Sequence, residues 1–291
     1  MQADFDCYGC ITKKMQGLLS QYPISEERKI ARIKDIYMQL GRAEPSQSAP
    51  VLMADAIRLI QQEWNEDIDL YAEAKEKYNA DLMRRKPALL QGVQRASDPL
   101  YAALQLAMTG NYIDFGAMDE VDDTKLEQLL CDWEQMEIDR KEYQILCSEL
   151  NAAQRLVYLC DNAGEIVLDS ILVQRLRQQY PQLHITVVTR GKPILNDALR
   201  CDAIQAGMEK DALLLDNGEA IPGTQLERLP QRTREAMESA DLCIAKGQGN
   251  FETLHGCGKN IYYLFLCKCS LFTRRFGVRQ FYGLFCNEKR M

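Results

Sequence analysis

Acidic, amide and lysine residues in the second half of the chain follow short apolar runs, together with glycines and other turn residues. They are Asp161, Asn162, Gly164 and Glu165; Thr189 to Pro193 with Asn196 and Asp197; Asp216, Asn217 and Gly218; Lys246 to Asn250; and Lys268. Carboxylate and amide oxygens are hard ligands suited to Mg²⁺ or Mn²⁺, whereas lysines and free amides at helix N-termini suit phosphate. The set favours phosphate chemistry over hydride transfer, because no G-x-G-x-x-G fingerprint follows the first run.

Five apolar runs after residue 150 alternate with amphipathic patterns such as the predicted helix Ile166–Gln179. The runs are Arg155–Cys160, His184–Thr189, Ala212–Leu215, Asp241–Ala245 and Ile261–Leu266. Apolar strands alternating with helices indicate a parallel sheet covered on both faces. Ligands of such sheets bind beyond the carboxyl ends of the strands, so we expect the polar groups to gather at one edge.

The first half of the chain has a helical rhythm. The predicted helices are Ser25–Leu40, Ala49–Trp64, Asp67–Arg85 and Lys125–Leu150, with Ser25 as a helix N-cap. The predicted fold class is therefore α/β: a three-layer α/β/α parallel-sheet domain over residues 151–291, preceded by an all-helical N-terminal domain over residues 1–150.

Each polar group alone has a simpler interpretation. An Asp-Asn or Asn-Gly pair after a strand commonly forms a turn, and Asn196-Asp197 could cap the next helix. Lys246 alone could belong to a solvated loop. Turn formation, however, does not require acids and lysines to gather at the same edge, so their convergence favours a binding site.

The composition narrows the classes of function. The chain has 291 residues, 46% hydrophobic and 26% charged, and no apolar run approaches the roughly 20 residues of a membrane-spanning helix. Two aspartates near the N-terminus argue against an export signal. Eleven scattered cysteines fit reduced thiols in a cytoplasmic protein. A net charge of −7 argues against a nucleic-acid partner.

Several segments resemble the successive motifs of the damage-control phosphatase family, a metal-binding family that also contains the eukaryotic acidic-residue methyltransferase-like proteins. They are DNAGEIVLD (161–169), KPILNDAL (192–199), LLDNGEAIPGT (214–224) and DLCIAKGQGNFETL (241–254), with AMTGNYIDFG (107–116), DCYGC (6–10), Lys268-Cys269 and FGV (276–278). The similarity covers nearly the whole chain in the expected order. Arg279-Gln280 replaces the usual Gly-Asp pair near the end, which leaves the last strand open.

The resemblance implies roles for individual residues. Asp161, Asn162 and Asp197 would hold a divalent metal, which is Mn²⁺, Co²⁺, Ni²⁺ or Mg²⁺ in the family. Lys246 would lie in the phosphate pocket. The other substrate-binding candidates are Gly164, Glu165, Gly247, Asn250 and Lys268, together with Asn111 and Asp114 if the helical half packs over the sheet edge. Family members hydrolyse phosphate esters of small metabolites, including sugar phosphates and damaged phosphopantetheine-like compounds.

The resulting hypothesis is hydrolysis of a small phosphomonoester, with Asp161, Asp197 and Lys246 as the catalytic residues and the amides at the start of helix 166–179 binding phosphate oxygens. Whether Asp161 is a nucleophile or only a metal ligand stays open, although the lack of an Asp-x-Asp motif favours metal-activated water. The alternatives are an S-adenosylmethionine-dependent carboxyl methyltransferase and a phosphometabolite-binding module without turnover.

Two further features have open roles. Cys7 and Cys10 are either a family signature with a structural role or half of a metal or redox site. His184 is expected to be structural, while His255 follows the lysine loop and could reach the pocket.

Overall fold

The computed structural model describes residues 1–21, 23–62, 69–118 and 121–291. Its strands are β1 Arg155–Leu159, β2 His184–Thr189, β3 Leu213–Asp216, β4 Leu242–Lys246, β5 Ile261–Cys267 and β6 Tyr282–Asn287. They form one sheet in the order β3-β2-β1-β4-β5-β6, parallel throughout except for the antiparallel β5–β6 pair. The predicted α/β fold with a mostly parallel sheet is confirmed, and all five predicted strands are present with ends shifted by at most one residue.

The helices of the described residues fall on both sides of β1 in the sequence. They are α1 Phe5–Gln21, α2 Glu26–Arg42, α3 Ala49–Gln61, α4 Ala72–Arg95, α5 Pro99–Gly110, α6 Asp123–Cys131, α7 Arg140–Ala152, α8 Glu165–Gln179, α9 Arg200–Gln205, α10 Gln231–Ser239, α11 Gly247–Leu254 and α12 Ser270–Phe276. The predicted cap is confirmed, because the Ser25 hydroxyl accepts from the main-chain N–H of Arg28. Trp64 and Asp67, where two predicted helices end and begin, lie outside the described residues.

The prediction of one long helix over Lys125–Leu150 is wrong. The structure has two helices there, α6 and α7. The carboxylate of Asp139 accepts from the main-chain N–H groups of Lys141 at 2.8 Å and Glu142 at 3.0 Å, which starts a new helix at that point.

Strand β6 had no clear signal in the sequence. It is an edge strand, and its residues alternate between buried and half-buried positions. Every residue of β4 and β5 is instead buried, as the continuous apolar runs indicate for central parallel strands.

Apolar side chains cover both faces of the sheet. One face packs through Tyr158 and Leu264 against α4, α5 and α8, and the other packs through Tyr263 and Phe265 against α10, α11 and α12. The core of the first face includes helices before residue 150 together with strands after it. The division into two domains at residue 150 stays a prediction.

Helices α1, α2 and α3 form a third apolar cluster beside the carboxyl edge of the sheet. Ile11 of α1 and Met53 of α3 pack in a cluster that also contains Ile194 and Leu195, from the loop after β2, and Ile221. This cluster sets a helical wall next to the edge where polar residues gather. None of the helices in the described ranges is long and apolar enough to cross a membrane.

Candidate active site

The main chain holds Asp161 and Asp197 side by side. Asp161 follows β1, and Asp197 lies in the loop after the neighbouring parallel strand β2. The main-chain N–H of Ala198 donates to the main-chain oxygen of Asp161 at 2.8 Å, next to an antiparallel bridge between Asn162 and Asp197. The structure thus brings together the three predicted metal ligands, all of them buried.

Side-chain amides join Asp161 to Glu165. The Asn162 amide donates to Asp161 Oδ2 at 2.8 Å and to Glu165 Oε2 at 3.1 Å. The Asn111 amide donates to Glu165 Oε1 at 2.9 Å and lies 3.1 Å from Asp161 Oδ2. Asn111 Oδ1 in turn accepts from the main-chain N–H of Leu266 at 2.9 Å, so the end of α5 is fixed to β5. The helical half therefore packs over the sheet edge, which was the condition for Asn111 to lie at the site.

Asp114 and Lys268 form a second buried contact of the edge. Lys268 Nζ donates to Asp114 Oδ2 at 2.6 Å, and Asp114 Oδ1 accepts from the main-chain N–H groups of Gly116 and Ala117. Burial alone would raise the pKa of Asp114, but Lys268 and these amides outweigh it and lower the pKa below its ordinary value. Asp114 is therefore ionised, and it contributes a negative charge to the lining of the site.

Arg190 is a site residue for which the sequence analysis predicted no role. It is 1% exposed, and its Nε donates to Asp197 Oδ2 at 2.6 Å. Its Nη2 lies 3.4 Å from Asp161 Oδ1, and its Nη1 lies 3.5 Å from Asn250 Oδ1. Its position directly after β2 was the signal available in the sequence. One guanidinium thus orients both carboxylates of the predicted metal site.

The Lys246 side chain is fully buried, and its ammonium group donates to three acceptors. Its ammonium donates to Glu165 Oε1, to Asp169 Oδ1 at 2.6 Å and to the main-chain oxygen of Ala107 at 2.9 Å. Burial opposes its charge, but Asp169 and Glu165 outweigh burial and raise its pKa. Contact between Lys246 and a phosphate stays a prediction. Asp169, which the sequence did not single out, lies one helical turn after Glu165 on the same face of α8.

Burial and repulsion between acids raise the pKa values of Asp161, Asp197 and Asp169. Burial is the main cause for Asp161, whose pKa lies well above its ordinary value; Glu165 and Asp197 add to the shift, and Arg190 opposes it. Burial also raises the pKa of Asp197 to about 6 against the effect of Arg190, and that of Asp169 to about 7 against the effect of Lys246. The site is therefore short of positive charge.

The loop that starts α11 approaches Asp161 closely. Gly247 has a φ of +79°, and a Cβ atom there would lie 1.8 Å from Asp161 Oδ2, so only glycine fits. Gly164 has a φ of +78°, and a Cβ atom there would lie 2.8 Å from the Cβ atom of Tyr78. Asn250 holds the loop by donating to the main-chain oxygen of Lys246 at 2.7 Å.

Four amides around the start of α8 are not available to the predicted phosphate site. The main-chain N–H groups of Ala163, Gly164, Ile166 and Val167 donate to protein acceptors, among them Asn79 Oδ1, which is 2.6 Å from the Gly164 nitrogen. That prediction is wrong for these four amides. In the first turn of α11, by contrast, the amides of Gln248 and Gly249 donate to no acceptor within the described ranges.

A cavity of about 150 Å³ opens onto the carboxyl edge. Asp161, Asn162, Asp197 and Asp114 line it on the sheet side, and helices α1 and α3 line it opposite. Five of its described lining residues carry a carboxyl group, and none of them is a lysine or arginine. Arg190, Lys246 and Lys268 lie behind the acids. Carboxylates in this cavity repel a phosphate dianion that enters alone. A cation that enters with the phosphate would offset this repulsion.

The donor set fits a hard divalent ion. Within the described ranges, no three His, Cys, Asp or Glu side chains form a metal site by themselves. The predicted set instead combines two carboxylates with the amide oxygen of Asn162, and all three residues line the cavity. No hydrogen bond to Asn162 Oδ1 or Asp197 Oδ1 is found among the described residues, so both atoms are open to a ligand. Oxygen donors of this kind suit Mg²⁺ or Mn²⁺.

Other polar residues singled out in the sequence have structural partners. Asn217 Oδ1 accepts from the main-chain N–H groups of Gly191 and Glu219, which shapes a turn. His255 stacks on Phe251 and lies 3.2 Å from Glu288, and it does not line the cavity.

Comparison with known proteins decides the family. The family described as "Damage-control phosphatase ARMT1-like domain" matches residues 4–283. The chain belongs to the damage-control phosphatase family. A damage-control phosphatase of Archaeoglobus fulgidus is 35% identical over 220 residues, which cover 72% of this chain and 73% of that protein. A damage-control phosphatase of Pyrococcus horikoshii is 29% identical over 289 residues, covering 96% of this chain and 95% of the other.

A solved structure has the same fold as this chain. The crystal structure of a DUF89 family protein from Pyrococcus horikoshii superposes with a TM-score of 0.85, covers 99% of both chains and is 24% identical in sequence. The family membership and the names of the relatives support a phosphatase-type repair role for this chain.

Proposed function

We propose that this chain is a metal-dependent phosphomonoesterase that acts on small phosphorylated metabolites such as sugar phosphates or damaged phosphopantetheine-like compounds. The observation that carries the proposal is the acid-lined cavity, in which Asp161, Asp197 and Asp114 face the open space while Arg190 and Lys268 are buried behind them. Such a cavity binds a phosphate ester only together with a cation. Its volume of about 150 Å³ suits a group the size of a six-membered ring, which among these candidates favours the sugar phosphates.

Asp161, Asn162 and Asp197 would hold the ion. Bound there, a divalent ion supplies Lewis-acid polarisation of the phosphoryl group. Arg190 orients Asp197 and Asp161 through its guanidinium, while Asn111 and Lys246 hold Glu165 in place. This preorganisation keeps the ligand oxygens fixed before the substrate arrives.

The first turn of α11 would bind phosphate oxygens. The main-chain N–H groups of Gln248 and Gly249 are without protein acceptors in the described ranges, and both residues line the cavity. Amides at a helix N-terminus are suited to anions. Gly247 lets this turn approach Asp161, so the phosphate would be held between the ligand carboxylates and these amides.

Phosphate release tests the proposal. The protein is stripped of metal with a chelator and incubated with sugar phosphates and phosphopantetheine derivatives, with and without Mn²⁺, Co²⁺, Ni²⁺ or Mg²⁺. We expect release that requires a metal. Absence of release with every metal, from a folded protein, would contradict the proposal and favour methyl transfer from S-adenosylmethionine or binding without turnover. Transfer of a labelled methyl group would separate those two.

A further inference from the structure

A groove of about 540 Å³ lies at the other end of α5 from the active site. It is lined by the turn between α4 and α5, the segment around Trp133 and the first residue of α7. No described residue lines both this groove and the cavity at Asp161. Helix α5 has 12 residues and therefore places the groove about 18 Å from Asn111. A volume of this size is typical of binding sites for small organic molecules.

Two arginines that line the groove have no anionic partner. The guanidinium carbon of Arg140 lies 3.5 Å from the ring centroid of Tyr101, whose hydroxyl donates to the main-chain oxygen of Ile138 at 3.0 Å. This stacking positions the guanidinium and leaves its N–H groups free to donate. Arg95, at the end of α4, and Arg140 form no ion pair or side-chain hydrogen bond with any described residue. The groove therefore offers two unpaired cations.

Trp133 adds a donor that is held in place by packing. The residue is 6% exposed, and its indole nitrogen has no hydrogen-bond acceptor in the described part of the chain. This nitrogen is not one of the enclosed polar atoms without a partner, so it reaches open space, and Trp133 lines the groove. Gly92 of the groove lies beside the same edge of the indole, since a Cβ atom there would be 3.3 Å from Cζ2. A nearly buried donor that opens into a groove without an acceptor points to a ligand with acceptor atoms.

Two acids also line the groove, but they do not cancel its donors. Asp98 Oδ1 accepts from the main-chain N–H of Tyr101 at 3.1 Å and from the hydroxyl of Tyr143 at 2.7 Å, so this carboxylate is engaged in capping α5. Glu134 is exposed, and its carboxylate has no partner among the described residues. A phosphate dianion matches the two arginines better than a single carboxylate does, because it carries more charge and more acceptor oxygens and pairs with a guanidinium through two hydrogen bonds.

We propose that this groove is a second binding site, separate from the active site, in which Arg95, Arg140 and the indole N–H of Trp133 hold a phosphate dianion. The dianion is either free phosphate or the phosphoryl group of a small ester, and the volume of the groove leaves room for the organic part of such an ester. The inference goes beyond the proposed function, because binding at the groove requires neither turnover nor a metal.

NMR of the chelator-stripped chain with isotope-labelled nitrogen tests the inference. The chain has two tryptophans, Trp64 and Trp133, so loss of one indole N–H signal in Trp64→Phe assigns the other to Trp133. Inorganic phosphate and glycerol phosphate are titrated at constant ionic strength, with glycerol as the uncharged control. We expect a saturable shift of the Trp133 signal with both phosphates and none with glycerol. Tighter binding of glycerol phosphate would identify an ester as the ligand, and tighter binding of inorganic phosphate would identify free phosphate.

Variants at exposed positions of the groove separate the contributions of its charges. Arg95→Met and Arg140→Met should each weaken the binding of both phosphates about tenfold, because each removes a charged donor. Glu134→Gln should tighten the binding about threefold, because it removes a carboxylate that repels the ligand. Arg232→Met, at an exposed position of α10, is the matched control and should leave the affinity unchanged.

Two results would overturn the inference. One is the absence of a saturable shift of the Trp133 signal in the wild-type chain with either phosphate. The other is an affinity that stays unchanged in both Arg95→Met and Arg140→Met, since a phosphate bound elsewhere on the chain would not depend on these side chains. Phosphate release by the enzyme is a separate measurement, so neither result bears on the proposed function.

Discussion

Arg190 donates from Nε to Asp197 Oδ2 at 2.6 Å, and both side chains are buried at the carboxyl edge of the sheet. The same guanidinium reaches towards Asp161 at 3.4 Å. One cation thus serves two carboxylates that also repel each other. The arrangement holds the carboxylates in place and leaves them with a deficit of positive charge that a divalent ion can fill.

Arg190→Met should destabilise the metal-free protein. It leaves Asp161 and Asp197 buried without their partner, and breaking a buried ion pair costs about 3–5 kcal/mol of unfolding free energy. Added Mn²⁺ should restore part of the loss. Urea unfolding with and without Mn²⁺ measures both effects. Arg232→Met, at an exposed position of α10, is the matched control and should change stability by less than about 0.5 kcal/mol. An Arg190→Met protein as stable as wild type would contradict the pairing.

Lys246→Met should destabilise the fold through Glu165 and Asp169. Both carboxylates lose their buried cation, with an expected cost of about 3–5 kcal/mol. Adding Asp169→Asn to this variant should recover part of the loss, because one uncompensated charge is removed. Urea unfolding of the single and double variants gives the comparison, with Lys289→Met at an exposed position as the control. A double variant that is less stable than Lys246→Met would show that Asp169 does not act through Lys246.

Gly247→Ala should remove activity through a steric effect at Asp161. The added Cβ would lie 1.8 Å from Asp161 Oδ2 and displace that carboxylate, and a displacement of about 1 Å at a reacting centre costs about 100-fold in kcat. Gly258→Ala is a close control: its φ is +73°, but a Cβ atom there meets nothing within 4 Å. The control should lose about 1 kcal/mol of stability from backbone strain and keep its activity. Equal activities of the two variants would argue against close approach of the α11 turn to Asp161.

Unfolding free energy should depend on pH through Glu252. Its pKa is raised from 4.5 to about 8 on folding, so the folded state binds more protons than the unfolded state between these values. The stabilising contribution is complete below about pH 4.5 and is lost as the pH rises through about 8, with a slope of at most about 1.4 kcal/mol per pH unit.

Glu252→Gln should lack that contribution. Urea unfolding of both proteins from pH 5 to pH 8 gives the difference in slope, while Asp114 and the amino group of Met1, which also lie near Glu252, titrate in both. Parallel pH profiles for the two proteins would contradict a raised pKa of Glu252.

The sheet and the neighbourhood of Asp161 and Asp197 were predictable from the sequence. Uninterrupted apolar runs are typical of buried parallel strands, and the carboxyl ends of such strands meet at one edge. Polar residues directly after the runs therefore had to gather there, whatever the details of their side chains. Family motifs then added the roles of individual residues.

Pairings between side chains were not predictable in the same way. Arg190 follows β2 much as Lys246 ends β4, and no local pattern determines which carboxylates each will meet. The engagement of Lys246 by Asp169 depends on how α8 rotates over the sheet. The cavity wall that contains Cys7 forms because α1 packs at the sheet edge opposite α11, a contact between residues far apart in the sequence.

Metal binding to the purified protein tests the central claim most directly. Equilibrium dialysis of the chelator-stripped chain against Mn²⁺ should give one bound ion per chain. Asp161→Asn and Asp197→Asn should weaken this binding at least about tenfold, since each removes a charged ligand, while Asp132→Asn, at an exposed position, should bind as wild type does. Stoichiometric binding that persists undiminished in both ligand variants, or no binding by the wild-type chain, would contradict a metal held by Asp161, Asn162 and Asp197.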